Sequence, residues 1–211
     1  MSRTPQAART RRNLLRAAAE VFDVEGFAGS NLRTVCARAR VTKGALYCHF
    51  RSKEALGVAI IEHQSLLWHE LVDELLKREL GAVQTLVDLS FEFARRLESD
   101  LMVRVSSRLL REAAFFDLAA AGQFVGWISV VRDLLSQARA CGELRDDVNL
   151  RHAAEQIVAD FLGVQLVSQA LTGQHDFTSR LRRHWRAWAP LLVTPETLRL
   201  LRFDPSDDDL V

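Results

Sequence analysis

The 211-residue sequence contains only three cysteines, Cys36, Cys48 and Cys141, and no two of them are spaced as CxxC. A disulfide framework and a zinc site are therefore both disfavoured. No run of about 20 apolar residues is present, which argues against a membrane-spanning helix. The first residues also lack the apolar stretch of a secretory signal. These absences predict a cytoplasmic protein that has no membrane partner and no metal site.

Motifs of common enzyme classes are missing as well. The sequence has no GxSxG, GxGxxG, P-loop or HExxH pattern. Its six histidines are dispersed, and His63 and His69 are six positions apart, so on a helix they would point to different faces. We therefore expect a protein that is not an enzyme and needs no cofactor. A helical ligand-binding enzyme is the remote alternative.

The charge is distributed unevenly, although the formal net charge is only +1. Residues 1–53 carry 11 Lys and Arg against Glu20, Asp23 and Glu25, a net charge of +8. The remaining residues carry 17 basic and 24 acidic side chains, a net charge of −7. A basic first quarter on an acidic body is typical of a protein that presents one end to a polyanion. A basic face that merely contacts solvent is the alternative.

Apolar residues recur at helical spacing along nearly the whole chain, and no convincing alternating strand pattern is present. The sequence therefore predicts an all-α fold. Gly26 should end the first helix, Ser30 or Asn31 should cap the second, and Thr42 should cap the third. Pro190 should kink or shorten its helix, and Thr194-Pro195 should begin the last. The expected helices are 6–25, a short one after residue 31, 42–50, 52–77, 85–97, 103–114, one through 124–138, 149–171, 176–193 and a last short one.

The segment 31–53 predicts two short helices separated by a three-residue turn. A helix of about eight residues is unstable alone, so Leu46 and Phe50 should pack inward against the first two helices. That arrangement directs Lys43, Gly44 and Tyr47 outward, together with His49. Lysine suits a phosphate or a guanine edge, glycine permits close approach, and the two rings can donate to phosphates. Tyr47 could instead only cover the helix junction, and His49 could only orient its neighbours.

The stretch VTKGALYCHFRSKEAL resembles the DNA-binding signature of the TetR family, and the whole chain is similar to the all-helical plan of that family. The resemblance implies a repressor that binds double-stranded operator DNA as a homodimer. Arg40 stands where the family often has glycine, which would cost about 1 kcal/mol if its φ is positive. The operator-contacting residues that the resemblance implies are Thr42, Lys43, Gly44, Ala45, Tyr47, His49 and Lys53.

Two features of the remaining chain suggest a ligand pocket. Gln64 falls on the apolar stripe of the fourth helix, where a buried amide needs a hydrogen-bond partner. Trp127 lies at the centre of another apolar helix face, where a purely structural role is the alternative. We also expect a homodimer, because the last two long helices carry more apolar surface than one core can absorb. Packing within one chain is the alternative for the residues of this stripe, which are Ile157, Val164, Val167, Leu171, Trp185 and Trp188.

Within the TetR family, the chain is similar to the γ-butyrolactone receptors of antibiotic-producing actinobacteria, through GALYCHFRSKEALGVAIIEHQS, Trp127 and DFLGVQLVSQALTG. The resemblance implies a tryptophan that stacks on the lactone, polar residues that hold its oxygens, and control of antibiotic biosynthesis genes. An expected threonine is absent near Leu162 and Val164, so an antibiotic, a biosynthetic intermediate or a drug stays open as the effector. The candidate ligand-binding residues are Trp127, Gln64, Leu67, Val131, Phe161 and Gln165.

We expect three parts along the chain. Residues 1–53 should form the DNA-binding helix-turn-helix domain, and residues 54–203 the helical domain for ligand binding and dimerisation. Residues 204–211 should be a disordered acidic tail. A ligand bound near Trp127 would move the fourth helix and change the spacing of the two reading helices of the dimer. Such a switch can be driven only by the difference in ligand affinity between its two states.

Overall fold

The structure is a computed structural model that describes residues 3–111 and 117–203. The described part of the chain consists of helices joined by short turns and loops and forms no β-strand, only an isolated bridge between Leu144 and Val193. None of its helices is long and apolar enough to cross a membrane. The predicted all-α fold is confirmed. The helices are α1 (Arg3–Gly29), α2 (Leu32–Ala39), α3 (Lys43–Tyr47), α4 (Lys53–Leu76), α5 (Ala82–Ser99), α6 (Leu101–Arg111), α7 (Asp117–Ala140), α8 (Leu150–Thr172), α9 (Phe177–Leu192) and α10 (Pro195–Leu200).

Local sequence signals determine where several helices begin and end. The side chains of Asn31, Thr42 and Asn149 each accept a hydrogen bond from the backbone N–H three residues later, as N-caps do. Gly173 ends α8 in the left-handed conformation. Pro190 lies inside α9, which continues past it to Leu192, one residue short of the expected end at Val193.

The end of the first helix differs in detail from the prediction. Gly26 breaks the helical backbone with φ 72° and ψ 164°, a conformation essentially restricted to glycine. One further helical turn follows to Gly29, where we expected none after Glu25. Phe27 then packs back on the helix, and its ring centroid lies 5.2 Å from that of Phe22.

The chain folds into two compact units, each built from two stretches of sequence. The first comprises residues 1–68 and 96–122, and the second comprises residues 69–95 and 123–211. Helix α6 therefore belongs to the same unit as the three N-terminal helices. The functional division at residue 53 stays a prediction, and the proposed tail, 204–211, lies outside the described residues.

Candidate DNA interface and ligand-binding site

The predicted helix-turn-helix is formed by α2 and α3. Helix α2 ends at Arg40, whose φ of 54° and ψ of 45° are left-handed, and the turn continues to Thr42. Leu46 is fully buried and Phe50 is 4% exposed, so the apolar face of α3 is fixed against the rest of the unit. This anchoring explains how a helix of five residues keeps its position.

The exposed side of α3 brings together Thr42, Lys43, Gly44 and Tyr47. Tyr47 is 46% exposed, and the Lys43 ammonium lies 5.8 Å from the centroid of its ring. A Cβ at Gly44 would meet only the Thr42 hydroxyl, at 3.9 Å. The protein itself therefore leaves room for a side chain at Gly44.

Two further candidates on this segment are less accessible. Ala45 is half-buried, and its backbone N–H donates to the Thr42 hydroxyl oxygen at 3.1 Å. His49 is also half-buried, and its ring centroid lies 6.5 Å from that of Phe50. Both residues border the exposed surface of α3, and their contact with DNA stays a prediction.

Lys53 requires a correction, because its ammonium is used inside the protein. Its Nζ donates to the carbonyl oxygens of Phe27 at 2.7 Å and Ser30 at 3.0 Å, and it lies 3.4 Å from that of Ala28. It also lies 4.6 Å from the centroid of the Phe27 ring. The Phe27 carbonyl oxygen also accepts from the backbone N–H of Ser30 at 3.3 Å and from its hydroxyl at 2.8 Å, so the ammonium adds to the hydrogen bonds that close the α1–α2 turn. We therefore remove Lys53 from the candidate DNA contacts.

Trp127 lies in a cluster of aromatic rings in the second unit. It is 6% exposed, and its ring centroid lies 5.9 Å from that of Phe93 and 5.6 Å from that of Phe124. The chain of edge-to-face contacts continues from Phe93 to Phe161 at 5.6 Å and on to Phe177 at 5.4 Å. The sequence did not single out Phe93 or Phe177 for the ligand site, because an aromatic residue on an amphipathic helix most often belongs to the core.

Two further candidates in this unit are buried. Val131 is 3% exposed and follows Trp127 one turn later on α7. Gln165 on α8 is also 3% exposed, and its side-chain nitrogen has no hydrogen-bond partner within the described residues. A buried amide donor without a partner is costly, and a ligand oxygen is one group that could satisfy it.

The remaining two candidates, Gln64 and Leu67, lie on α4 in the first unit. Gln64 is 1% exposed, and its Nε2 lies 3.5 Å from the hydroxyl oxygen of Ser107 on α6. Its Oε1 has no partner in the part of the chain that the structure describes. Sequence reasoning found Gln64 from its place on an apolar stripe but missed Ser107, because a small residue on α6 carries no comparable signal. That Gln64 and Leu67 share a pocket with Trp127 stays a prediction.

The predicted dimer stripe divides into exposed and buried positions. Val167 and Leu171 are 45% and 68% exposed, while Val164 and Trp188 are half-buried. Val164 and Val167 also line a shallow groove of about 420 Å³ between α8 and α9. These four positions agree with an apolar surface on the outer side of the two helices, where Leu166 and Leu191 are exposed as well.

Ile157 and Trp185 require a correction, because both lie in the core of their own chain. Ile157 is 8% exposed and Trp185 is 2% exposed. The indole N–H of Trp185 donates to the hydroxyl oxygen of Ser90 on α5 at 2.8 Å. Burial within the protomer leaves almost no surface of either side chain for a partner. The alternative of packing within one chain is therefore correct for these two residues.

Ser168 also faces inward, although we expected it to let two helices approach closely. It is fully buried, and its hydroxyl donates to Asp176 at 2.7 Å. Thr172 donates to the same carboxylate at 2.8 Å, and Arg180 donates to its other oxygen at 2.7 Å. Hydrogen bonds from Arg180, Ser168 and Thr172 hold the pKa of Asp176 well below its ordinary value. This network closes the turn between α8 and α9.

Comparison with known proteins places these features in a family. Residues 14–60 match the family described as bacterial regulatory proteins, tetR family. The A-factor receptor protein of Streptomyces griseus is 34% identical over 195 residues, which cover 92% of this chain and 68% of that protein. The matched segment 14–60 contains the whole helix-turn-helix.

Solved structures extend the similarity to the entire fold. A γ-butyrolactone receptor described as ArpA-like has a TM-score of 0.74 and 26% identity, with 93% of this chain and 94% of that chain covered. The TetR family protein CprB of Streptomyces coelicolor, in complex with its operator sequence, has a TM-score of 0.74 and 28% identity, with 92% and 94% covered. The chain therefore belongs to the tetR family of bacterial regulatory proteins and is similar to the γ-butyrolactone receptors within it.

Proposed function

We propose that the protein is a transcriptional repressor that binds a palindromic operator as a homodimer and is released by a small signalling molecule. The effector class we propose is a γ-butyrolactone or a related furan or butenolide, and the target genes are those of antibiotic biosynthesis. The protein acts on DNA in the cytoplasm and catalyses no reaction. The observation that carries the proposal is the group of Thr42, Lys43, Gly44 and Tyr47 on the exposed side of a firmly anchored α3.

The DNA-binding half of the proposal follows from charge and shape. Helix α3 is anchored by buried residues, so its exposed side can enter a major groove without losing its position. Gly44 lets the helix approach the duplex closely, and Lys43 beside it carries a positive charge. In a dimer, two such helices about 34 Å apart would read the two halves of a palindrome.

The effector half rests on buried groups that suit a small amphipathic molecule. The aromatic cluster around Trp127 offers apolar ring surfaces, and Gln165 in the same unit offers a buried donor without a partner among the described residues. A compound with apolar surface and an acceptor such as a carbonyl would match these two requirements. Gln64 on α4, in the first unit, stays a separate candidate, because its Oε1 has no partner within the described part of the chain. The same inventory would also suit an antibiotic intermediate, which is the second candidate effector.

The direct test is a mobility shift with the DNA upstream of the reading frame, titrated with a γ-butyrolactone and with related furans and butenolides. Tight, salt-sensitive binding that one of these compounds releases supports both halves of the proposal. Binding that none of them releases contradicts the lactone and favours the second effector class. If the protein binds no upstream DNA, self-regulation is wrong and the operator has to be sought elsewhere in the genome.

Lys43→Ala separates a DNA contact from a general loss of charge. If Lys43 contacts a base, the variant should lose about 1–3 kcal/mol of operator affinity. If it contacts a phosphate, the slope of log K against log salt should fall by about 0.9. Arg132→Ala is the matched control, because Arg132 is an exposed cation on α7 in the other unit. If Lys43→Ala and Arg132→Ala changed operator affinity and its salt dependence equally, a specific contact of Lys43 with DNA would be contradicted.

A further inference from the structure

The C-terminal part of α1 is held by side chains of α6. Arg104 reaches Asp23 with two nitrogens, Nε at 3.4 Å from Oδ1 and Nη2 at 3.3 Å from Oδ2. Arg108, one turn later on α6, donates from Nη1 to the backbone carbonyl oxygen of Asp23 at 3.2 Å. We call Asp23, Arg104 and Arg108 the Asp23 clamp.

The clamp acts next to the break in α1. Gly26 lies three residues after Asp23, and a Cβ at Gly26 would stand 3.1 Å from Nη2 of Arg108. Glycine at this position therefore provides both the left-handed φ and the space for the guanidinium. A few residues further on, Lys53 holds the carbonyl groups of Phe27 and Ser30. The segment 23–30, which includes the C-terminal end of α1 and lies just before the helix-turn-helix, is thus held by side chains of α4 and α6.

We infer that Asp23, Arg104 and Arg108 are positioning residues for operator binding. The inference rests on the proposed function. The side chains of Asp23 and Arg104 are 32% and 39% exposed, and an ion pair this accessible adds little to the stability of a fold. Its geometric effect is larger, because it fixes the orientation of α1, on which α2 packs, and α3 packs in turn on α2. Any displacement of α6 would therefore pass to the helix-turn-helix through these contacts.

For Asp23→Ala, the clamp and simple electrostatics predict opposite changes in operator affinity. The variant removes a negative charge from the basic segment, so charge alone predicts tighter binding to DNA. Alanine also favours the helix, so α1 itself should not be weakened. Loss of the clamp predicts weaker operator binding instead, by about three- to tenfold, as expected when a directly coupled pair is broken. Binding to non-specific DNA should not weaken, because it depends on phosphate charge alone.

The experiment compares Asp23→Ala, Arg104→Gln and the double variant with Asp147→Ala, which breaks an exposed pair with Arg145 in the other unit. Each is titrated against operator and non-specific DNA, and amide hydrogen exchange is followed over residues 24–30. We expect weaker operator binding and faster exchange in the clamp variants, with no further loss in the double variant, and neither change in the control.

An operator affinity of Asp23→Ala that equals or exceeds that of the wild type would overturn the positioning role. If the wild type binds no operator at all, the proposed function fails and the exchange data decide on the clamp alone. Wild-type exchange rates over residues 24–30 in both single variants would then overturn it. Arg104→Gln keeps the clamp testable if Asp23→Ala does not fold.

Discussion

Replacing Lys53 with methionine removes the ammonium but keeps an unbranched apolar side chain of similar length. In the wild type the ammonium donates to the carbonyl oxygens of Phe27 and Ser30 at 2.7 and 3.0 Å and faces the Phe27 ring. Methionine would leave these carbonyl groups without their cation while preserving most of the packing. The variant therefore isolates the contribution of the charge at this turn.

The expected loss of stability can be estimated from these contacts. A hydrogen bond to a charged group contributes about 1.5–3 kcal/mol net. Lys53 is half-buried, so water can partly replace it at the carbonyl groups. The cation–π contact adds about 0.5–1 kcal/mol at an exposed site. Because these terms share one ammonium and are not additive, we expect a total loss of about 2–4 kcal/mol.

Urea unfolding at fixed protein concentration measures this loss, and a mobility shift on the operator measures DNA affinity in parallel. Arg51→Met is the matched control, because Arg51 is an exposed cation two residues earlier, and it contacts no carbonyl group among the described residues. We expect Lys53→Met to lower stability far more than the control does. A stability change below about 0.5 kcal/mol, the usual size for a surface substitution, combined with a large loss of operator affinity would refute the internal role.

Three further predictions concern single contacts. Arg40→Gly should raise stability by about 0.5–1 kcal/mol in urea unfolding, because glycine adopts the left-handed backbone without strain; an unchanged midpoint would show that the turn relaxes. Trp185→Phe should cost about 1–3 kcal/mol, because it removes a buried hydrogen bond to Ser90, whereas Trp188→Phe should cost less. If Trp185→Phe instead lowered dimer affinity alone in sedimentation, our assignment of this residue to the core would be wrong. The difference in unfolding free energy between the wild type and Asp176→Asn should shrink as the pH falls below about 4, the ordinary pKa range of an aspartate. Because the pKa of Asp176 is lowered in the folded protein, its carboxylate stabilises the fold above that range, and this stabilisation is lost as the carboxylate is protonated. A difference in unfolding free energy between the two proteins that stays constant down to about pH 2 would contradict this linkage.

The secondary structure could be predicted well because its signals are local. The caps at Asn31, Thr42 and Asn149 depend on residues within one turn of the helix start, and all three are formed. The same holds for the burial of Leu46, which follows from helical spacing within a short segment. The positive φ at Arg40 is suggested by the family resemblance, in which glycine often stands at this turn, and it is observed.

The errors concern contacts between residues far apart in the sequence. The family resemblance placed Lys53 among the DNA contacts. Its partners, the carbonyl oxygens of Phe27 and Ser30, lie more than 20 residues earlier and are backbone atoms, which carry no side-chain signal. Trp185 looked like an interface residue because an apolar stripe does not reveal which neighbour covers it. Ser90, 95 positions away, decides that question by accepting its indole N–H. Patterns within one helix predict that a face is buried, whereas the partner depends on tertiary packing.

The internal role of Lys53 also changes the electrostatic argument for DNA binding. Glu20 is paired with Arg16 and Arg38, which hold its pKa below the ordinary value, and Asp23 is paired with Arg104. Two of the three acidic side chains among residues 1–53 therefore have their own cations. Among the side chains that the structure describes, the positive charge that remains available to a phosphate backbone lies on exposed residues, which are Arg9, Arg11, Arg12, Arg33, Arg40, Lys43 and Arg51. If several of these meet phosphates, operator affinity should fall steeply with salt, by about 0.9 in log–log slope for each contact. Lys53→Met should leave that slope unchanged, because the Lys53 ammonium donates to carbonyl groups of the same chain. Lys43→Ala should reduce the slope if Lys43 contacts a phosphate.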